Sequence, residues 1–161
     1  MIDVLEKPVT LPHAALPDAD WGDAYATSVS KPFENARAAG EAAFATFPPW
    51  VNWLMAFRNA IVAPFGLKTG KGREIGQARV GFFPLIAEHQ DQLIIGMDDR
   101  HLDFRCIVDL SVMEKGQEVV ITTVLKRHNL LGRVYLSVIT PFHKAILRTT
   151  MKRLSMNGAI H

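Results

Sequence analysis

The stretch LDFRCIVDLSVMEKGQEVVITTVLKRH, residues 102–128, decides the fold class. Its first part alternates. Leu102, Phe104, Cys106, Val108, Leu110 and Val112 take one phase, and Asp103, Arg105, Asp109 and Ser111 take the other. A period of two belongs to a strand with one face on a core. Glu114-Lys115-Gly116-Gln117 reads as a turn. Glu118 to His128 is then a second long strand, rich in Val, Ile and Thr. The pair is the centre of an antiparallel meander.

Upstream, Arg79–Ile86 (RVGFFPLI) and Gln92–Met97 (QLIIGM) have strand character, with Ala87 to Asp91 as a hairpin turn between them. Asp98-Asp99-Arg100-His101 is the next turn. Downstream, Asn129 to Gly132 breaks the strand pattern and the period lengthens. Leu136, Ile139, His143, Leu147, Met151 and Leu154 form one apolar-leaning stripe, which predicts a helix over Arg133–Leu154. Pro141 lies inside it and predicts a kink or the start of a second helix.

The first third of the chain is different in character. Residues 1–32 hold Pro8, Pro12, Pro17 and Pro32; Leu11 to Asp20 reads as loop, and Ala24 to Val29 as one short strand. Ala36, Ala39, Ala43 and Phe47 predict a helix over Phe33–Phe47, stopped by Pro48-Pro49. Trp50, Trp53, Leu54, Phe57, Ile61 and Phe65 predict a second helix, ending at Gly66. Lys68 to Gly76 is a charged, glycine-rich loop. Strands grouped together, with helices before and after, argue for an α+β fold and against βαβ units. An antiparallel sheet with one apolar face needs a cover, and the C-terminal helix is the natural one.

The chain has 161 residues, 48% apolar and 21% charged, which suits a single globular domain over residues 1–161. One cysteine, Cys106, excludes an intrachain disulfide. Met1 to Thr10 carries Asp3 and Glu6 and no apolar run, and no stretch is long enough to span a membrane, so the expected location is the cytoplasm. The net charge of +2 is unevenly spread. Val119 to His161 contains seven Lys and Arg and no Asp or Glu. Lys144, Arg148 and Lys152 repeat at i+4 and read as a solvated face. An anionic membrane or a nucleic acid is the alternative, but no base-stacking aromatics interleave with them.

Sequence signatures of known chemistry are few. Gly66 to Gly76 misses both the P-loop spacing and the dinucleotide-binding spacing. Six histidines are scattered without metal-ligand spacing, so no metal and no cofactor is expected. Asp98, Asp99, His101 and Asp103 are concentrated in six residues; a solvated hairpin turn is the plain reading, and His101 as an acid or base helped by Asp99 or Asp103 is the alternative. Cys106, on the apolar phase, reads as a buried, inert thiol. Arg105 and Asp109 are surface residues if their face meets water. If that face lines a cavity, Arg105 could hold a carboxylate or phosphate.

Three segments resemble an uncharacterised bacterial family, domain of unknown function 2867: residues 48–67 (PPWVNWLMAFRNAIVAPFGL), 98–105 (DDRHLDFR) and 130–147 (LLGRVYLSVITPFHKAIL). That family is similar to the START-like, or helix-grip, group that includes polyketide cyclase-like proteins. The resemblance implies a curved antiparallel sheet wrapped on a long C-terminal helix, with two short helices after the first strand. It also implies an apolar ligand held between sheet and helix, and it brings no established reaction.

The expected function is therefore small-molecule binding. Trp53, Phe57, Phe82, Phe104, Tyr135 and Phe142 would line the cavity, with Arg105, His101 and His143 as polar anchors. An enzyme of the cyclase, dehydratase or isomerase type in the same cavity is the second expectation, using His101 or His143 with Asp103 or Asp109. An interaction protein with a filled core is the third. A homodimer paired through Ala24–Val29 is compatible with all three.

Overall fold

The computed structural model describes residues 4–11, 13–44, 49, 53, 56, 79–80, 83–98 and 102–159. In chain order its elements are β1 (Leu5–Lys7), β2 (Trp21–Val29), α1 (Ala36–Phe44), β3 (Arg79–Val80), β4 (Phe83–Glu88), β5 (Gln92–Asp98), β6 (Leu102–Val112), β7 (Gln117–Arg127) and α2 (Leu130–Ala159). The strands form one antiparallel sheet in the order β1-β2-β7-β6-β5-β4-β3. The α+β class stands, with α2 packed across the sheet.

Local chemistry sets the element ends. The Asn35 side-chain oxygen accepts from the Ala38 amide at 2.8 Å, and that of Asn129 accepts from the Gly132 amide at 3.0 Å. Each caps the first turn of its helix. Asn129 thus ends the strand region and starts α2, three residues before the predicted Arg133. Gly116 closes the β6–β7 turn at φ 93°, and a Cβ there would lie 2.2 Å from the Val29 carbonyl oxygen, so only glycine fits.

Four expectations change. The strand over Arg79–Ile86 is two strands, because Val80 pairs with Phe83 and the chain reverses between them. The strand predicted from Ala24 begins at Trp21, because Trp21 already pairs with Leu125. β1 precedes it, so the first strand is one the Pro-rich composition concealed, and it covers the edge of β2 over Ala24–Ala26. Pro141 starts no second helix, since α2 runs through it. The predicted helix over Trp50–Phe65 lies mostly outside the described residues; 53 and 56, the two described within it, are helical.

The sheet has two differently covered faces. On the inner face, Tyr25, Val29, Leu93, Ile95, Val108, Val119 and Ile121 pack against α1 and against Leu147, Met151 and Leu154 of α2. Each such side chain, fully buried, contributes roughly 1.5–3 kcal/mol. A second inner cluster, Leu102, Leu125 and Leu136 with Trp21, Phe104, Tyr135 and Ile139, lies under the first turns of α2. On the outer face, Ile107, Val124 and Ile94 are covered by Leu16 and its neighbours from the segment before β2.

Candidate functional site

The two inner clusters are separated by a row of polar side chains. Strand register places Asp23 of β2 opposite Thr123 of β7, and Thr123 opposite Cys106 of β6. Below this row lie Trp21, Leu125 and Phe104; above it lie Tyr25, Ile121 and Val108. α2 follows the same sequence, with Leu136 and Ile139 on one side, Leu147 and Met151 on the other, and His143 between them. Nε2 of His143 meets Oδ1 of Asp23 at 3.1 Å. The imidazole stands edge-on to Trp21, with centroids 6.0 Å apart and planes at 70°. This packing fixes the ring against a buried carboxylate.

The row is under-satisfied. Oδ2 of Asp23 and the hydroxyl of Tyr25 are sealed from solvent, and neither has a hydrogen-bond partner among the described residues. A buried polar group in that state costs about 1–3 kcal/mol. Burial, then the nearby Asp23 and Glu6 carboxylates, push the Tyr25 phenol above its usual value, against the opposing charges of Lys144 and Arg148. Burial likewise pushes the Cys106 thiol up to about 12, with Asp23 adding to the rise and a hydrogen bond with Thr123 opposing it. The thiol is therefore neutral at physiological pH, in keeping with an inert buried cysteine.

One rim of the site is charged and open. Glu6 of β1 accepts from Lys144 at 3.3 Å and lies 3.6 Å from the Arg148 guanidinium. Arg148 in turn stands over the Tyr25 ring, 6.0 Å from its centroid. These three side chains are substantially exposed.

The predicted site residues fall into separate groups. His143 is in the row, and Phe104 and Tyr135 are in the apolar cluster beside it. Phe142 points outward from α2 at 41% exposure, and Trp53 is 67% exposed. Asp103, Arg105 and Asp109 alternate with Phe104, Cys106 and Val108 and so occupy the outer face, away from His143. There Asp103 meets His128 at 2.9 Å, Arg105 meets Asp98 at 2.7 Å, and Asp109 accepts from Gln92 at 2.9 Å. Phe57, Phe82 and His101 lie outside the described residues. Asp23, Tyr25 and Thr123 were not predicted. The signal for them was an acid on the apolar phase of Trp21, Asp23, Tyr25 and Thr27, visible only once the strand is started at Trp21.

A family model described as "Protein of unknown function (DUF2867)" matches residues 15–150. The chain belongs to the DUF2867 family. No curated protein and no solved structure matches it. The matched range of the DUF2867 domain contains Asp23, Tyr25, Cys106, Thr123 and His143, while Glu6 and β1 lie before it. Among the described residues of this DUF2867 domain, no group of three or more His, Cys, Asp or Glu side chains is placed to hold a metal ion. No described helix is long and apolar enough to cross a membrane.

Proposed function

We propose that this domain binds a small amphipathic molecule between its sheet and α2. The polar end would lie at Asp23, Tyr25 and His143, and the apolar body along Phe104, Tyr135 and Ile139. One observation carries the reading: two sealed polar atoms, Asp23 Oδ2 and the Tyr25 hydroxyl, stand without described partners between two apolar clusters. Ligand sites are mostly apolar with a few placed polar groups, and this region has that composition. A sealed site needs a way in. The exposed Arg148 side chain over Tyr25 is the movable part, and its displacement opens the rim beside Glu6. The finer fold assignment, a helix-grip domain of the START-like type, belongs to the same proposal and is supported by an antiparallel sheet under one long helix. So does a cytoplasmic location.

Mass spectrometry of the purified chain, native and then after solvent extraction, tests this. A reproducible apolar species near one per chain, lost in Asp23→Asn protein that keeps its thermal transition, is the expected result. Protein free of any such species, and still unliganded after incubation with a panel of lipids and polyketide-like compounds, overturns it.

The His143–Asp23 contact favours a second reading, an enzyme of the isomerase, dehydratase or cyclase type in the same place. With its proton on Nε2 the ring donates to Asp23, and Nδ1 is left as a base. Once a ligand is known, His143→Gln separates the two readings. An enzyme loses its rate while binding survives, whereas a carrier shows only a modest change in affinity.

A further inference from the structure

The outward side of α2 carries a second feature that the ligand site does not use. Leu130, Val134, Val138 and Phe142 repeat at i+4, and all four are exposed, Leu130 at 75% and Val138 at 63%. At 1.5 Å per residue this ridge is about 18 Å long. Pro141 and Ala145 are exposed in the same sector of the helical wheel, and farther along the same sector come Arg148, Lys152 and the exposed Met156. Arg133 flanks the ridge at its start and is exposed. No acidic residue occurs in the chain after Glu118. Glu6 from β1 sits against Lys144 and Arg148, so one carboxylate faces two of these cations.

We infer that this face of α2 docks on an anionic lipid surface, with the Leu130–Phe142 ridge in the headgroup–acyl boundary and the exposed Arg133 and Lys152 toward the headgroups. A helix with an apolar ridge bordered by cations and lacking acids is the arrangement that lies in a charged interface. The charge pattern selects this occupant over a second copy of the chain. Two such faces brought together would gather Arg133 and Lys152 of both copies along one seam with no carboxylate from α2 between them. The docked helix stays at the surface, because no described helix is long and apolar enough to cross. This inference does not rest on the ligand proposal, since the ridge points away from the sheet.

The test is flotation of the full chain with vesicles of phosphatidylcholine alone and of phosphatidylcholine with about 30% phosphatidylglycerol. The expected result is binding to the anionic vesicles, weakened at least about tenfold by raising salt from roughly 0.05 to 0.5 M. Val134→Glu with Val138→Glu should abolish it without loss of the thermal transition, both positions being exposed. If that pair fails to fold, Arg133→Gln with Lys152→Gln should still reduce binding several-fold at low salt. Absence of binding to anionic vesicles overturns the inference, and so does equal, salt-insensitive binding to both compositions. Concentration-dependent self-association lost in the Val134/Val138 variant also overturns it, in favour of a second copy as the occupant.

Discussion

On the outer face of the sheet, the three charged side chains of β6 each have a partner: Asp103 with His128, Arg105 with Asp98, Asp109 with Gln92. One residue out of phase, on the inner face, the polar row holds a carboxylate with one sealed oxygen that has no partner among the described residues, next to a tyrosine whose hydroxyl is in the same state. Both faces carry polar atoms at similar spacing along the strands. The outer set is wet at its edges and internally satisfied, so its chemistry ends in structure. The inner set is sealed, leaves two atoms unpaired among the described residues, and is closed over by His143 and α2. The contrast teaches that ion pairing, which looks like a site, marks ordinary sheet stabilisation here, while missing pairs mark the candidate.

Moving an acid out of the row should break the contrast most severely. Ile121→Asp puts a carboxylate on the inner face beside Tyr25, away from His143, and should cost about 4 kcal/mol or unfold the chain, read by urea denaturation. The native acid at Asp23 is tolerated because His143 and Thr123 share its row; a comparably stable Ile121→Asp protein would show that the row is not special.

Alkaline stability sharpens the same point. The Cys106 thiol titrates from 9.0 when unfolded and from about 12 when folded. Its protonated form is the favoured folded form, so its stabilising contribution is whole below pH 9 and is lost between pH 9 and 12. The slope is at most about 1.4 kcal/mol per pH unit. Tyr25, also raised, acts in the same sense. Cys106→Ala should flatten this part of the stability–pH curve, and a thiol reagent at pH 8 should label native Cys106 far more slowly than unfolded protein.

Tyr25→Phe should have the opposite sign to most buried substitutions. It removes a hydroxyl with no described partner, so the chain should gain about 1 kcal/mol, a rise of a few degrees in Tm. A loss of that size would place a hydrogen bond on the hydroxyl and remove half of the ligand argument. The smallest effect belongs to the outer face. Asp98→Ala breaks an ion pair whose acid is mostly exposed and should cost no more than about 0.5–1 kcal/mol, erased by salt.

Much of the fold could be read from residue types alone. β6 and β7 announce themselves because one face of each is apolar, and α2 because Leu136, Leu147, Met151 and Leu154 recur at helical spacing. β1 could not be read. It is three residues long, and its strand state comes from pairing with β2 rather than from its composition. The polar centre of the site was legible only through His143, and its apolar side through Phe104 and Tyr135. Arg105 and Asp109 drew attention because charge on a strand is conspicuous, yet alternation itself assigns them to the face opposite Phe104 and Cys106. Asp23 was hidden because its meaning depends on Thr123 and Cys106, positions far away in sequence that only the register aligns with it.

That register has a consequence for how the chain is made. The β4–β5, β5–β6 and β6–β7 pairs are all formed by neighbours in sequence and can assemble locally. β2 must wait for β7, with α1 and four strands synthesised in between. Non-local pairings of this kind close late and slow folding. Asp23 and Tyr25 therefore reach their neighbours in one of the last steps, after β7 has left the ribosome. His143 follows β7 in the chain, so until then the nascent polypeptide carries both halves of its polar row apart.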